Sequence, residues 1–258
     1  MSVEYLFVCL TALAASALTL FSGFGLGTIL FPAFALFFPP DVAIAQTALV
    51  HFANNLFKLS LFWRKADLKT ALMFGIPAMA AALAGAGLLS WMTGLPALFS
   101  YQAFGHQHQV SVLKLCLAGL MAFFALAELK GDIKKRPLAG GLVLGGLVSG
   151  FFGGLSGHQG AFRSAYLLKA GLAKEAFIAT GVVLACMVDL SRLSVYAGNM
   201  LRPEVTGELG LVIAATLAAF AGAWFGKRLI RKVTMETVRL SVAGMMFLIA
   251  AGLASGLL

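Results

Sequence analysis

The sequence predicts an all-α polytopic membrane protein built from two inverted-topology repeats. The first observation is composition: 60% of the 258 residues are apolar and 11% are charged, against about 25% charged in a typical soluble domain. The second is a series of apolar windows near the length of about 20 residues that a helix needs to cross a bilayer. The third is a pair of similar glycine-led stretches, one in each half of the chain. Together they indicate about eight full transmembrane helices plus two short broken or re-entrant helices.

Eight apolar windows are predicted as full transmembrane helices. They cover residues 5–20, 42–63, 71–91, 110–127, 138–152, 176–196, 209–225 and 238–258. The connection at 92–109 is expected to be a neutral outer loop. It contains His106 and His108, but an HxH pair alone is more typical of a solvated loop than of a metal site.

Two stretches of the chain follow the same order of features. Each starts with clustered glycines, continues into a short apolar helix, and reaches an A-x-x-x-T pattern that opens a long helix. The pattern falls at Ala43 and Thr47 in the first stretch and at Ala176 and Thr180 in the second. We therefore divide the chain into a first transmembrane repeat, residues 1–131, and a second, residues 132–258.

Positive charge indicates how the two repeats are oriented. Fourteen of the 19 lysines and arginines fall in four segments, at 64–69, 130–136, 169–174 and 227–239. Cytoplasmic loops carry such an excess, so the net charge of +9 reflects topology rather than nucleic-acid binding. The basic loop at 64–69 corresponds to the weakly charged segment 199–208, which predicts inverted repeats. Inversion needs an odd number of crossings in each repeat, so each short segment is expected to complete a broken span.

The breaks themselves are the predicted binding site. Broken helices survive in a bilayer where their backbone lines a polar cavity, and their N-terminal ends carry partial positive charge. Two inverted breaks are expected to meet near the midplane and form an anion site. The substrate-binding candidates there are Gly23, Gly25, Gly27, Thr28, Ser156, Gly157, His158, Gln159 and Gly160. The imidazole of His158 would donate to an oxyanion or shuttle protons, with a loop-stabilising hydrogen bond as the alternative.

Three ionisable residues follow the second break. Arg163 lies in the first turns of the short helix, while Asp189 and Arg192 share a face of the next long helix. Charges at bilayer depth usually face a cavity and pair. We predict that Arg163 and Arg192 contact the anion and that Asp189 serves coupling or ion pairing. A purely structural pair between Asp189 and Arg192 is the alternative.

The first repeat supplies polar residues at matching positions. Asn54 and Asn55 align with residues beside Asp189 and are predicted to bind substrate, although asparagines also pin helix packing. Lys58, on the same face as Asn54, is predicted to serve coupling or ion pairing, unless it extends to the cytoplasmic surface. His51 is expected to be a packed polar residue.

No pattern in the sequence supports catalysis or a cofactor. A Walker loop, a nucleophile elbow and an HExxH motif are all missing, so no enzyme activity is predicted. Cys9, Cys116 and Cys186 have neither CxxC nor Cys/His spacing, so no metal site is predicted. Seven further glycines are expected to serve helix packing: Gly75, Gly85, Gly87, Gly140, Gly141, Gly145 and Gly146.

The chain resembles the sulfite exporter TauE/SafE family, also called the TSUP permeases. The resemblance rests on GFGLGTILFP followed by AIAQT, and above all on GLVSGFFGGLSGHQGAFRSAYLL followed by KEAFIATGVV. It covers nearly the whole chain and draws attention to Gly23, Gly25, Gly27, Ser156, Gly157, His158, Gln159, Gly160 and Arg163. It implies an inner-membrane exporter of sulfite, a sulfonate or a related organic anion, driven by the membrane potential or a proton gradient.

The predicted function is secondary transport of a small anion across the lipid bilayer. The alternatives are an anion channel and a membrane accessory or scaffold subunit in which the glycines serve packing alone. No nucleic-acid partner is expected. Helix faces rich in small residues serve internal and intermolecular packing alike, which leaves a homo-oligomer open.

Overall fold

The computed structural model describes residues 3–22, 25–103, 105–130, 140–200, 207–229 and 235–258. These residues form ten α-helices and one β-hairpin. The first five helices are α1 (Val3–Ser22), α2 (Leu26–Ala35), α3 (Pro40–Phe62), α4 (Leu68–Thr93) and α5 (Val112–Lys130). The other five are α6 (Gly141–Ser156), α7 (Gln159–Leu167), α8 (Lys174–Met200), α9 (Leu209–Leu229) and α10 (Met235–Ser255). The eight predicted windows coincide with eight of these helices, and α2 and α7 follow the glycine-led stretches.

The lengths of the apolar stretches differ widely. Among the described residues, two stretches have both the length and the hydropathy of a bilayer span: Leu68–Thr93, with 26 residues, and Lys174–Ala197, with 24. Shorter apolar stretches are Val3–Thr19, Leu26–Ala35, Val112–Ala127, Gly141–Ser156, Leu209–Phe225 and Val242–Ser255. The ten helices confirm the helical class, while the number of membrane crossings stays a prediction. The predicted repeat boundary at 131/132 lies outside the described residues.

The segment predicted as a plain loop at 92–109 contains a β-hairpin. Strand β1 (Ala97–Ala103) pairs antiparallel with β2 (His106–Ser111), with a bulge between Ala97 and Phe99. Gly105 occupies the turn with φ +78°, a conformation that glycine adopts without strain. The all-α expectation overlooked this hairpin.

Glycines let α6 pack directly on the backbone of α4. Gly146, Gly150 and Gly154 repeat every four residues and so share one face of α6. A methyl group at any of them would overlap a carbonyl oxygen of α4, from Phe74, Ala78 and Ala82 respectively. Such close approach fixes the end of α6, where the second break begins.

The predicted packing glycines fall into two groups. Gly75, Gly85, Gly145 and Gly146 leave no room for a methyl group beside a neighbouring helix, which confirms their packing role. Gly87 and Gly141 have no atom of the described residues within 4 Å of that methyl position, so neither packs against a neighbouring helix in the described part of the chain. Gly140 precedes α6 with φ +111°, so this position requires glycine for its backbone conformation.

The long helices pair across the two halves of the chain. α6 packs along α4, and α1 packs along α9. α3 packs on α8, and α5 packs on α10. The short helices α2 and α7 each contact the helices on either side of them in the chain.

A polar connection joins the two halves where α4 begins. The Asp67 carboxylate caps α4 by accepting from the backbone N–H of Thr70 at 2.7 Å, and Asp67 N–H donates to Thr180 Oγ1 of α8 at 2.9 Å. Hydrogen bonds from Thr70 lower the pKa of Asp67. Nearby, Lys65 forms an exposed ion pair with Glu175 and thereby lowers the pKa of that carboxyl.

Substituting Gly150 should destabilise the protein. The added methyl of Gly150→Ala overlaps the Ala78 backbone, which cannot move as a side chain can, so we expect a loss of about 1–3 kcal/mol. Gly87→Ala makes the same change on α4 in open space and should be neutral or slightly stabilising. Thermal unfolding in detergent measures both. Equal melting temperatures for the two variants would contradict the packing.

Removing the α4 cap should make stability depend less on pH. The pKa of Asp67 is lower in the folded chain, so its stabilisation is present above the ordinary carboxyl range and is lost as pH falls through the folded value. Asp67→Ala should therefore melt below wild type at neutral pH, and the gap should close below about pH 4. A gap that stays constant with pH would contradict the role of the carboxylate.

Candidate functional site

The two glycine-led breaks lie against each other in the buried part of the bundle. α2 starts after Gly25, whose φ of +112° favours glycine, and α6 ends at Gly157 with φ +79°. A methyl group on Gly27 would lie 3.4 Å from the carbonyl oxygen of Gly157 and 3.7 Å from Cδ2 of His51. The breaks therefore meet, as the sequence predicts. Their depth in a bilayer stays a prediction.

A single buried carboxylate collects donors from three helices. Asp189 Oδ2 accepts from His51 Nδ1 of α3 at 2.6 Å and from Asn55 Nδ2 at 3.2 Å. Its Oδ1 accepts from Arg192 Nε at 3.0 Å and from Gln159 Nε2 of α7 at 3.3 Å. Arg192 Nη2 adds an ion pair to Oδ1 at 2.8 Å. Asp189 is 0% and Arg192 1% exposed, so the pair is removed from solvent.

Three buried nitrogen atoms beside the second break have no hydrogen-bond partner within the described part of the chain. They are Arg192 Nη1, Arg192 Nη2 and His158 Nε2, of which Nη2 has the ion pair with Asp189. Arg192 Nη1 lies 2.9 Å from the position of a methyl group on Gly157, so only glycine leaves room for the guanidinium there. The interior of the protein thus brings unsatisfied polar atoms to the junction of the breaks, where a buried donor without a partner costs about 1–3 kcal/mol.

The surroundings of His158 determine what its free nitrogen can do. His158 Nδ1 lies 3.0 Å from both the carbonyl oxygen and Oγ of Ser156. The imidazole stacks on Phe124 with ring centroids 4.7 Å apart, and its side chain does not cap α7. The carbonyl oxygen of Ser156 only accepts, and the Ser156 hydroxyl donates to the Phe152 carbonyl at 3.2 Å, so His158 Nδ1 carries the hydrogen of the loop-stabilising bond. Nε2 becomes a donor when the imidazole takes a second proton, or when Ser156 Oγ turns to donate to Nδ1.

Arg163 is connected to the carboxylate through a glutamine. Arg163 Nη1 donates to Gln159 Oε1 at 3.3 Å, and the amide nitrogen of Gln159 donates to Asp189. The backbone oxygen of Gln159 accepts from Ser149 Oγ of α6 at 2.9 Å, which holds the start of α7. All four side chains are buried. Arg163 lies in the second turn of α7, where the sequence places it.

Asn54 and Lys58 belong to a second polar cluster. With its amide oriented to satisfy its neighbours, Asn54 accepts from Lys58 Nζ at 3.1 Å and donates to Ser16 Oγ at 3.1 Å and to the Ala219 carbonyl at 3.3 Å. Lys58 is 6% exposed, so its ammonium does not extend to the surface. Asn55 therefore donates to Asp189 whereas Asn54 contacts Lys58, and substrate binding by either asparagine stays a prediction. α1 and α9 approach α3 closely here and occupy the face that Asn54 presents.

The remaining candidates mark the ends of the short helices. Gly27 and Thr28 are in the first turn of α2, and Gly160 is the second residue of α7. Gly23 lies outside the described residues. Among the described candidates, those gathered round Asp189 and Gly157 are Gly27, Asn55, Ser156, His158, Gln159, Arg163 and Arg192.

His51 is the site residue that sequence reasoning missed. The sequence suggested ordinary packing, whereas the imidazole makes the shortest of the contacts to Asp189. Its position midway along an apolar helix was the available signal, because ionisable residues in such places are usually functional. Within the described residues no group of three His, Cys, Asp or Glu side chains is placed to hold a metal ion.

A bundle of apolar helices with charged side chains gathered at two helix breaks is the arrangement of a membrane transporter. The family comparison agrees: the model of the family described as sulfite exporter TauE/SafE matches residues 8–253. The chain belongs to this family of membrane permeases, so its surroundings are lipid and its substrate class is small anions. A comparison with curated proteins gives no match.

Neutralising Asp189 alone should destabilise the protein. Asp189→Asn leaves the Arg192 charge buried without its partner, which typically costs about 3–5 kcal/mol. The double variant Asp189→Asn/Arg192→Gln removes both charges and should recover much of that loss. Glu175→Gln breaks the exposed pair with Lys65 instead and should change stability little. Unfolding titrations in detergent test the cycle. Additive effects of Asp189→Asn and Arg192→Gln would contradict the coupling.

Proposed function

We propose that the protein is a multi-pass secondary transporter of the inner membrane that exports a small oxyanion, either sulfite or a sulfonate. The anion would bind near the bilayer midplane, between the two breaks. The observation that carries this proposal is the pair of buried nitrogens, Arg192 Nη1 and His158 Nε2, without a hydrogen-bond partner among the described residues. An oxyanion would accept from Arg192 Nη1 and, when Nε2 carries a hydrogen, from His158.

The electrostatics of the junction support an anion rather than a cation. α2 and α7 both begin there, and the first backbone N–H groups of a helix carry partial positive charge. Arg192 and Arg163 add full charges, and a guanidinium matches the geometry of an oxyanion through parallel hydrogen bonds. Asp189 balances one of these charges and fixes the Arg192 side chain, leaving one edge of its guanidinium for a ligand.

Two lines of support favour two related repeats, whose inversion is predicted by the distribution of positive charge. The offset along the chain that aligns Ala43 with Ala176 also aligns the first residue of α2, Leu26, with the first residue of α7, Gln159. The helix pairs are symmetric as well. If each helix is replaced by its counterpart in the other half, the α4–α6 pair becomes the α9–α1 pair. The α3–α8 and α5–α10 pairs each map onto themselves. In transporters of this kind, one repeat rocks against the other around a central site. Export is the direction that the family description names.

Replacing Arg192 with lysine should reduce transport while preserving the fold. Lysine keeps a charge for Asp189 but loses the second edge of the guanidinium, and a charge-assisted hydrogen bond contributes about 1.5–3 kcal/mol. We therefore expect sulfite and ethanesulfonate flux in proteoliposomes to fall roughly tenfold or more at limiting anion concentrations. The matched control is Arg64→Lys, the same change at an exposed residue.

Three outcomes would contradict the transport proposal. Wild-type flux in Arg192→Lys would exclude the proposed binding role, and flux that never saturates would favour a channel. A complete lack of anion flux in wild type would favour an accessory subunit. Arg163→Gln, which removes the neighbouring charge, should also reduce flux without changing the amount of inserted protein.

Inverted repeats predict that the loop at 64–69 and the segment at 199–206 lie on opposite sides of the membrane. Single cysteines introduced as Lys65→Cys and Arg202→Cys, with Cys9, Cys116 and Cys186 replaced by serine, can be labelled with an impermeant maleimide. We expect only Arg202→Cys to react from the outside of intact cells. Labelling of both from one side would contradict the inversion.

A further inference from the structure

We propose that His51 binds the proton that accompanies the anion, so that the His51–Asp189 pair couples transport to a proton gradient. The inference rests on the proposed anion site and adds a second ligand to it, a proton. It assigns a role to a buried histidine that the binding of the anion itself does not require.

The position of His51 suits a proton site. The residue is at the middle of α3, about 16 Å from either end of the helix. Its Nδ1 lies 2.6 Å from Asp189 Oδ2 and must carry a hydrogen, because a carboxylate only accepts. The other side of the ring faces the first break, since Cδ2 is 3.7 Å from the methyl position on Gly27. Nε2 is bonded to Cδ2, and its contact with the described chain is a long one, 3.5 Å from Asn55 Nδ2.

The ionisable groups around the pair leave two histidines as exchangeable ones, His51 and His158, and of these His51 contacts the carboxylate. The others are Asp189, Arg192, Cys186 and Tyr196 on α8, Arg163 on α7, and Lys58 on its own helix. α2 and residues 209–225 of α9 have none, and Arg64 and Lys65 are exposed at the far end of α3. Arginine holds its proton, and cysteine, tyrosine and lysine ordinarily keep theirs at neutral pH. Histidine is the side chain that exchanges a proton there.

Local charge balance explains why the proton and the anion would bind together. Arg192 offsets the charge of Asp189 directly, whereas Arg163 reaches the carboxylate only through Gln159, so the local balance at Asp189 depends on Arg192 and on whether His51 carries a second hydrogen. An anion at Arg192 Nη1 shares the guanidinium charge and leaves Asp189 undercompensated. A proton taken from water by His51 Nε2 restores the balance, because imidazolium then offsets Asp189 while Arg192 offsets the anion. Each ligand therefore favours the other, which is reciprocal coupling between two sites. A carrier with this coupling moves the proton and the anion in the same direction, so the outward gradient of the anion drives export and an inward proton gradient opposes it.

Calorimetry can count the proton directly. Anion binding to the purified protein at pH 7 is measured in two buffers that differ in ionisation enthalpy, with sulfite and ethanesulfonate as probes. Ethanesulfonate keeps its charge throughout, so proton uptake on its binding belongs to the protein. We expect wild type to take up about one proton per anion. At pH values above the ordinary histidine range, its affinity for the anion should rise about tenfold for each unit by which pH is lowered.

His51→Gln should bind both anions with no proton uptake and with an affinity that no longer depends on pH. His106→Gln, the same change at an exposed position on β2, should behave as wild type. Proton uptake in His51→Gln equal to that of wild type would overturn the inference. So would a lack of uptake in wild type with ethanesulfonate, a result that needs no variant. Anion binding in either case would leave the proposed transport function intact, whereas a failure of wild type to bind both anions would overturn both.

Discussion

The buried carboxylate of Asp189 holds the interior of this protein together. It accepts hydrogen bonds from α3, from α7 and from its own helix α8, and it offsets the charge of Arg192. A charge in an apolar bundle is tolerated when it is paired and hydrogen-bonded, and Asp189 provides that pairing. Without it, Arg192 would be a costly cation among apolar helices. With it, the guanidinium is fixed in place and still has one edge unsatisfied within the described residues.

Glycine makes this arrangement sterically feasible. The helix face formed by Gly146, Gly150 and Gly154 brings α6 against the α4 backbone. This contact places the end of α6 in the buried interior. Gly157 then leaves the space that Arg192 occupies, and Gly27 brings the first break into contact with the second. Glycine therefore allows close helix packing along α6 and, at the end of α6, leaves space for the Arg192 guanidinium. Asp189 could not collect donors from α3 and α7 if these helices were held farther apart.

Much of the architecture could be predicted from the sequence because it depends on local patterns. Apolar windows located the eight long helices, and glycine clusters located the starts of α2 and α7. Arg163, Asp189 and Arg192 could be singled out because charge is rare in such helices. The position of His51 in an apolar helix marked it as a candidate, but its partner could not be predicted. The contacts of Asn54 with α1 and α9 could not be predicted either, because these helices are distant in the chain. Asn54 and Asn55 are adjacent in sequence, yet they point to different neighbours, Lys58 and Asp189 respectively.

The proposed transport requires an anion at the junction of the two breaks, and a heavy-atom analogue can locate it. The most direct measurement is the anomalous scattering of selenium in crystals of the protein grown in lipid with selenite, the selenium analogue of sulfite. We expect a selenium peak beside Gly157, with selenite oxygens within hydrogen-bond distance of Arg192 Nη1 and His158 Nε2. Selenium found only at the exposed basic loops, with the junction empty at saturating selenite, would contradict it.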